Sequence, residues 1–261
     1  MTPRVSIVLP THNREALLPR ALELCLKQTF RDLEVIVVDD GSTDGTAAVA
    51  AQWAARDPRV RVVTQSNAGL PSALNRGFAE AKGEFLTWTS DDNRYHPTAI
   101  AAMVENLERN PDSGLVYTDF QMVDAAGRVK QKVTSRSPSD LAGMNVVGAC
   151  FLYRRSVAMT VGEYNARLPL VEDWDYWLRL ALVAPIRHLK EILYDFLDHE
   201  ESLTNRRQLQ VLETEFKMRK LTPHPEARKD LYRKAVARRL ATLHWASGNK
   251  IKAILFRIQS I

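Results

Sequence analysis

The first 118 residues alternate short apolar runs with stretches of helical spacing, and this alternation limits the fold more than any other feature of the chain. Val5–Leu9, Glu34–Val38, Val60–Val63, Glu84–Thr89 and Gly114–Thr118 read as strands. Between them, Glu15–Lys27, Thr43–Ala55, Pro71–Ala81 and Pro97–Arg109 place apolar residues at helical intervals, with Pro71 and Pro97 suited to first turns. The strands are apolar almost without interruption, so both of their faces need cover. That predicts an α/β fold with a mostly parallel central sheet flanked by helices. Ligands of such sheets bind beyond the carboxyl ends of the strands. Here those ends read Pro10-Thr11-His12-Asn13, Asp39-Asp40-Gly41-Ser42 and Ser90-Asp91-Asp92-Asn93, so polar and acidic residues should gather along one edge.

After residue 118 the pattern changes. Ala125-Ala126-Gly127 suits a hairpin turn between Phe120–Val123 and Val129–Val133. Ser135–Ser139 reads as a flexible surface loop, Ala149–Tyr153 as a strand, and Asp173–Ala184 as an aromatic-rich helix. From Leu203 onward the chain reads helical. Charge divides the same way. Residues 205–261 hold 14 Lys/Arg against 4 Asp/Glu, whereas residues 1–204 hold 22 against 27. Two parts are expected: a mildly acidic body over 1–204 and a basic helical segment over 205–261. Cys25 and Cys150 match no metal or redox spacing and suit core positions in a reduced compartment. No run reaches the ~20 apolar residues of a membrane span. Val5–Leu9 is too short for a signal-peptide core, so a cytoplasmic location is expected.

Adjacent carboxylates at a strand end repel unless something positive arrives. Asp91-Asp92 would be relieved by a divalent cation, which commonly also holds substrate phosphates. A lone Asp-Asp is more often a turn cap beside a solvated acid. The second pair, Asp39-Asp40, at another strand end of the same sheet shifts the balance toward a cation. Gly41 lets backbone approach a ligand, and Ser42 or Thr43 suits the cap of the next helix. No Gly-x-Gly-x-x-Gly follows the first strand, which argues against a dinucleotide oxidoreductase.

Five segments in order, VSIVLPTHNR (5–14), VVDDGSTDGT (37–46), NAGLPSALNRG (67–77), TSDDN (89–93) and VEDWDYWLRL (171–180), resemble the motif series of the family-2, GT-A fold glycosyltransferases over about residues 4–204. The resemblance implies a nucleotide-sugar donor, with a UDP-sugar expected, and an Mn²⁺ or Mg²⁺ cofactor. It implies that Pro10, Thr11, Asn13, Arg14 and Asp40 hold the nucleotide and that Asn67 and Gly69 lie near the donor. Asp91 then contacts ribose or sugar, and Asp92 binds the metal. Asp173 becomes the catalytic base, and His199 adds a metal contact. The Tyr-Arg that family members often carry before this His is replaced here by Tyr194-Asp195-Phe196-Leu197-Asp198. Trp88, Glu172 and Trp174 are candidates for donor or acceptor contact, with core packing an equal reading for the tryptophans. Gly148-Ala149-Cys150 resembles the family segment near the acceptor. One base opposite the leaving group implies inversion. The Gln-x-x-Arg-Trp motif of processive synthases is missing, which favours one sugar per encounter.

The expected acceptor is a hydroxyl of a glycan, a lipid-linked glycan or another surface-polysaccharide precursor. Three readings of the basic segment stay open: a solvated face of helices packed on the body, peripheral contact with anionic membrane, and nucleic-acid binding, which no motif supports. The sequence ends at Ile261 within an apolar, helix-like pattern, as a piece of a longer protein would. Two rivals use the same fold class. A sugar-1-phosphate nucleotidyltransferase would want a glycine-rich first loop, and a non-catalytic nucleotide-sugar-binding protein would need no base.

Overall fold

The computed structural model describes residues 2–198 and 207–221. Nine strands form one sheet: β1 (Val5–Thr11), β2 (Leu33–Asp40), β3 (Val60–Gln65), β4 (Phe85–Trp88), β5 (Arg94–Tyr95), β6 (Leu115–Val123), β7 (Val129–Val133), β8 (Phe151–Arg154) and β9 (Ile186–Leu197). Their order is β3-β2-β1-β4-β8-β6-β9-β5, with β7 paired to β6. The sheet is parallel from β3 to β4. Beyond β4 it is mixed: β8 runs antiparallel to β4 and β6, while β9 is parallel to β6.

The helices are α1 (Leu18–Leu26), α2 (Thr46–Arg56), α3 (Leu70–Glu80), α4 (Ala99–Arg109), α5 (Arg155–Val161), α6 (Glu172–Ala181) and α7 (Gln208–Leu221). Alternate residues of one strand serve two cores, because successive side chains point to opposite faces. Val5, Ile7, Leu9, Val35 and Val37 join α1, α2 and α4 on one side. Val8, Ile36 and Val38 join α3 and α6 on the other. The continuous apolar runs therefore mean what continuous burial predicts, and all eight residues of β2 are buried. In α1, Leu18, Ala21, Leu22, Cys25 and Leu26 form the inward stripe. Gly77 lets α3 lie directly on the sheet, since a Cβ there would come within 2.4 Å of Val8 Cγ1. Cys25 and Cys150 are both buried, and burial pushes each thiol up to about 12.

Several boundaries differ from expectation. β6 is one strand through Asp119 rather than two, and it carries the expected hairpin with Gly127 at φ 81. Ser135–Ser139 is tied down rather than free: Ser135 N–H donates to Asp119 Oδ1 at 2.8 Å, and Tyr117 OH donates to the Arg136 carbonyl at 2.6 Å. A single 3₁₀ turn, Pro138–Asp140, follows. The start of the basic segment is attached to the body. Leu212, Phe216 and Met218 of α7 are buried, and Met218 joins the core that holds Trp174 and Trp177. Residues 222–261 lie outside the described residues, so the expected helical stripe of Leu231–Leu243 does too. No helix among the described residues is long and apolar enough to cross a membrane.

Candidate active site

The parallel arrangement brings the ends of β1, β2 and β4 to one edge, where side chains join them into a continuous network. Thr11 Oγ1 donates to Asp91 Oδ2 at 2.9 Å, and Arg14 Nε lies 3.6 Å from Asp91 Oδ1. Asn13, in the left-handed region at φ 54, accepts the Thr43 N–H on its Oδ1 at 2.8 Å. Its own N–H donates to Ser42 Oγ at 2.9 Å. His12, which carries no assignment from the sequence, is 2.9 Å from the Asp40 carbonyl through Nδ1 and 3.2 Å from Asn67 Nδ2.

Asp40 is buried and organises the loop above it. Its Oδ1 accepts Gln65 Nε2 at 2.8 Å and the Ala68 N–H at 2.9 Å, and its Oδ2 accepts the Gly69 N–H at 2.9 Å. Asp39 Oδ1 accepts the Ser42 N–H at 3.0 Å. Three backbone N–H groups and the Gln65 amide thus hold this acidic pair. Gly41 has φ +74, and a Cβ there would meet Asn67 N at 2.7 Å, so glycine is required where the two loops touch. Neither Ser42 nor Thr43 caps α2. Asp44 does that work, with its Oδ1 accepting the Thr46 N–H at 3.0 Å and Thr46 Oγ1 at 2.5 Å. Gly69, at φ +83, precedes α3, and Pro71 falls in the first turn.

Asp91 is nearly buried. Burial first, then the neighbouring Asp92 charge, push its carboxyl up to about 6 against the lowering effects of Thr11 and Arg14. Asp92 Oδ1 accepts Ser90 Oγ at 2.5 Å. Asn93 Oδ1 accepts the Leu197 N–H at 2.8 Å, which ties the end of β9 to this turn. His199, two positions further along, lies outside the described residues.

A third acidic pair opens α6. Leu170 is held at φ 75 just before it, and Val171 is the N-cap. Glu172 is 3% exposed, and its Oε2 has no hydrogen-bond partner. Burial, with the adjacent Asp173 charge second, pushes its carboxyl up to about 8. Asp173 is raised as well, chiefly by burial, but it has donors. Its Oδ2 accepts Asn145 Nδ2 at 2.7 Å and its Oδ1 accepts the Trp174 N–H at 2.7 Å. Trp174 does not face an opening. It is 2% exposed, with its indole N–H on the Leu141 carbonyl at 2.9 Å, so of its two expected readings the core one holds. Tyr176 and Trp177 are buried too. Trp88, half-buried at the end of β4, stacks edge-on against Phe151, which packs on Trp177 at 4.5 Å between ring centroids. That aromatic line links the Asp91-Asp92 end of the sheet to α6.

The pattern of the glycosyl transferase family 2 model matches residues 6–162, which include β1, β2, the Asp40 loop and the Asp91-Asp92 turn. The chain belongs to glycosyl transferase family 2. It is 30% identical over 213 residues to an uncharacterised glycosyltransferase of Rickettsia felis, covering 76% of this chain and 35% of that protein. It is 29% identical over 204 residues to the chondroitin synthase of Escherichia coli, covering 77% of this chain and 30% of that one. The chain thus spans about a third of the length of these curated relatives. Among solved structures, TarS of S. aureus (residues 1–349) in complex with UDP-GlcNAc is similar at a TM-score of 0.75 and 19% identity, over 98% of this chain and 79% of that one. The mannosyltransferase PcManGT of Pyrobaculum calidifontis, in complex with GDP-Man and Mn²⁺, has a TM-score of 0.67 and 18% identity, over 98% and 79%. These neighbours have the GT-A fold, and so does this chain.

Members of this fold with Mn²⁺ raise the question of a cation. Among the described residues no group of three or more His, Cys, Asp or Glu side chains is gathered as a cage. The Asp91-Asp92 turn nevertheless fits a hard cation. It offers carboxylate oxygens, and burial, with the Asp92 charge behind it, disfavours ionisation of Asp91, so a cation held there would favour the carboxylate. Mg²⁺ in particular is commonly held by one or two carboxylates, with substrate phosphates and water completing the shell.

Proposed function

We propose that this chain is the catalytic part of an inverting glycosyltransferase. It would move a sugar from a nucleoside-diphosphate donor, a UDP-sugar first, to a hydroxyl of a glycan or lipid-linked acceptor. The observation that carries the reading is the unequal environment of Glu172 and Asp173. Two adjacent buried carboxyls share charge as a pair. Glu172 has a buried oxygen without a donor, whereas both Asp173 oxygens accept hydrogen bonds. The proton therefore stays on Glu172 and the charge on Asp173. A desolvated carboxylate kept ionised is what a general base requires, and such a base contributes typically ~10²–10⁴-fold.

In this reading Asp173 takes the acceptor hydroxyl proton while that oxygen bonds to the anomeric carbon. The bond from that carbon to the diphosphate oxygen breaks, and its electron pair leaves with the diphosphate. A single displacement inverts the anomeric centre. Asp92, with Asp91 beside it, would hold Mn²⁺ or Mg²⁺, which when bound supplies charge neutralisation on the leaving diphosphate. The loop held by Asp40 and the Thr11–Arg14 turn form the nucleotide side. Donor complexes of TarS and PcManGT support a nucleotide sugar. Relatives named chondroitin synthase and hyaluronan synthase support a polysaccharide product. We assign residues 1–204 to catalysis and 205–261 to a basic segment for contact with anionic membrane; within it, α7 packs on the body through Met218.

Incubation with nucleotide sugars, Mn²⁺ and glycan acceptors tests this. Wild type should transfer sugar, Asp92→Ala should lose metal-dependent donor binding, and Asp173→Asn should keep donor binding while transfer falls by about 10²-fold or more. Transfer undiminished in Asp173→Asn would remove the base from the account.

A further inference from the structure

The segment between β7 and β8 runs as a strap from the sheet to the start of α6. Its near end is fixed on β6 by Asp119 and Tyr117. Its far end is fixed on α6 twice, by the Trp174 indole on the Leu141 carbonyl and by Asn145 on Asp173. Asn145 belongs to no motif, yet its geometry is closely determined. Its Oδ1 accepts the Val147 N–H at 3.2 Å, which turns the amide so that Nδ2 faces Asp173 Oδ2 at 2.7 Å. At that length the bond is of the charge-assisted kind, roughly twice as strong as one between neutral groups.

What surrounds Asp173 makes this contact matter. The titratable groups facing it are Glu172 on its own helix and Tyr164 from the turn that leads into α6. Both are acids, and any charge on them opposes a carboxylate. Neither Glu172 nor Asp173 forms an ion pair with Lys, Arg or His among the described residues. The charge on Asp173 is therefore supported by dipoles alone: the Trp174 N–H, the N-terminal end of α6, and the Asn145 amide. Asn145 is the side-chain donor of that set.

We infer that Asn145 is a positioning residue for the transfer reaction: its amide keeps the Asp173 carboxylate ionised and fixes one oxygen, so that the remaining lone pairs are aimed at the acceptor hydroxyl. The inference rests on Asp173 being the base. It also gives the strap a role, because the acceptor-side segment carries the group that prepares the base.

The test is the pH dependence of transfer in Asn145→Ala and in Asn145→Asp, with donor affinity measured beside it. Loss of the donor favours the protonated acid, so the acid limb of the profile should move to higher pH by about one unit in Asn145→Ala. On the acid side of the limb, transfer should then fall about tenfold and recover as pH rises, with donor affinity unchanged. Asn145→Asp keeps the shape and adds a like charge, so its limb should move further. Because it is isosteric, it carries the test if Asn145→Ala fails to fold. A rate that falls equally at every pH, or a limb unmoved in both variants, would overturn the inference. Asp173→Asn, measured in parallel, separates the two failures. If it abolishes transfer while the Asn145 limbs stay in place, only the role of Asn145 is wrong; if it transfers normally, the base assignment is wrong.

Discussion

Of the three acidic pairs of the site, Asp39-Asp40 at the end of β2 and Glu172-Asp173 at the start of α6 have opposite chemistry. Asp39-Asp40 is buried and well supplied: Gln65, Ala68 and Gly69 donate to Asp40, and Ser42 to Asp39. Glu172-Asp173, with Glu172 buried and Asp173 half-buried, is undersupplied: one Glu172 oxygen lacks any partner, and no Lys, Arg or His pairs with either among the described residues. The first pair spends its acceptor capacity on holding loops together. The second keeps capacity in reserve, at a cost in stability, which is the pattern expected where a proton must move. Asp91 sits between them: Thr11 and Arg14 reach it, yet its carboxyl stays raised. Acidic residues adjacent in sequence are thus alike in composition and separable by counting their donors.

The comparison can be broken or sharpened by substitution. Trp177→Ala removes a fully buried ring beneath α6 and should cost about 3–5 kcal/mol in urea denaturation, the loss typical of such a truncation. A much smaller loss would mean that α6 is held elsewhere. Asp40→Ala takes the acceptor from the Ala68 and Gly69 N–H groups of a partly exposed loop and should cost about 1.5–3 kcal/mol, the range for hydrogen bonds to a charged group. Full stability with lost donor binding would instead make Asp40 a ligand contact rather than a scaffold.

Glu172→Gln sharpens the other side. Because the folded-state value of Glu172 is raised to about 8 from 4.5, the native state holds a proton that the unfolded chain releases between those values. Stability contributed by the neutral acid is full below about 4.5 and is lost as pH rises toward 8. The glutamine variant lacks that loss. The fall in Tm of wild type between pH 5 and 8 should be smaller in the variant by at least a few degrees, about 2–4 °C for each kcal/mol. The smallest effect is expected for Trp174→Phe, which gives up the hydrogen bond to the Leu141 carbonyl and should cost about 1 kcal/mol by the same denaturation.

The N-terminal half was legible because burial on both faces writes itself as continuous apolar runs, as β1 and β2 show. β9 was not, because Ile186–Leu197 mixes exposed charges with apolar residues and shifts register twice against β6. Nor was β5, which is two residues long, or α5, a seven-residue helix whose inward residues Val157, Ala158 and Val161 are only partly buried. At the site, the residues of the ordered motifs were readable, and the Thr11–Asp91 contact follows from adjacent parallel strands. Asn145 was invisible, since nothing in a run such as Met144-Asn145-Val146 announces a partner 28 positions away. Trp174 kept two readings, sugar contact and core packing, because an aromatic in a helix looks the same from sequence whether it points to a core or a cleft; its burial selects the core.

Infrared difference spectra of the carboxyl region near pH 7, for wild type and the two single variants of the α6 pair, test the central claim most directly. The account predicts a protonated-carboxyl band from this pair that disappears in Glu172→Gln and persists in Asp173→Asn. A band that survives in Glu172→Gln and vanishes in Asp173→Asn would put the proton on the wrong residue and contradict it.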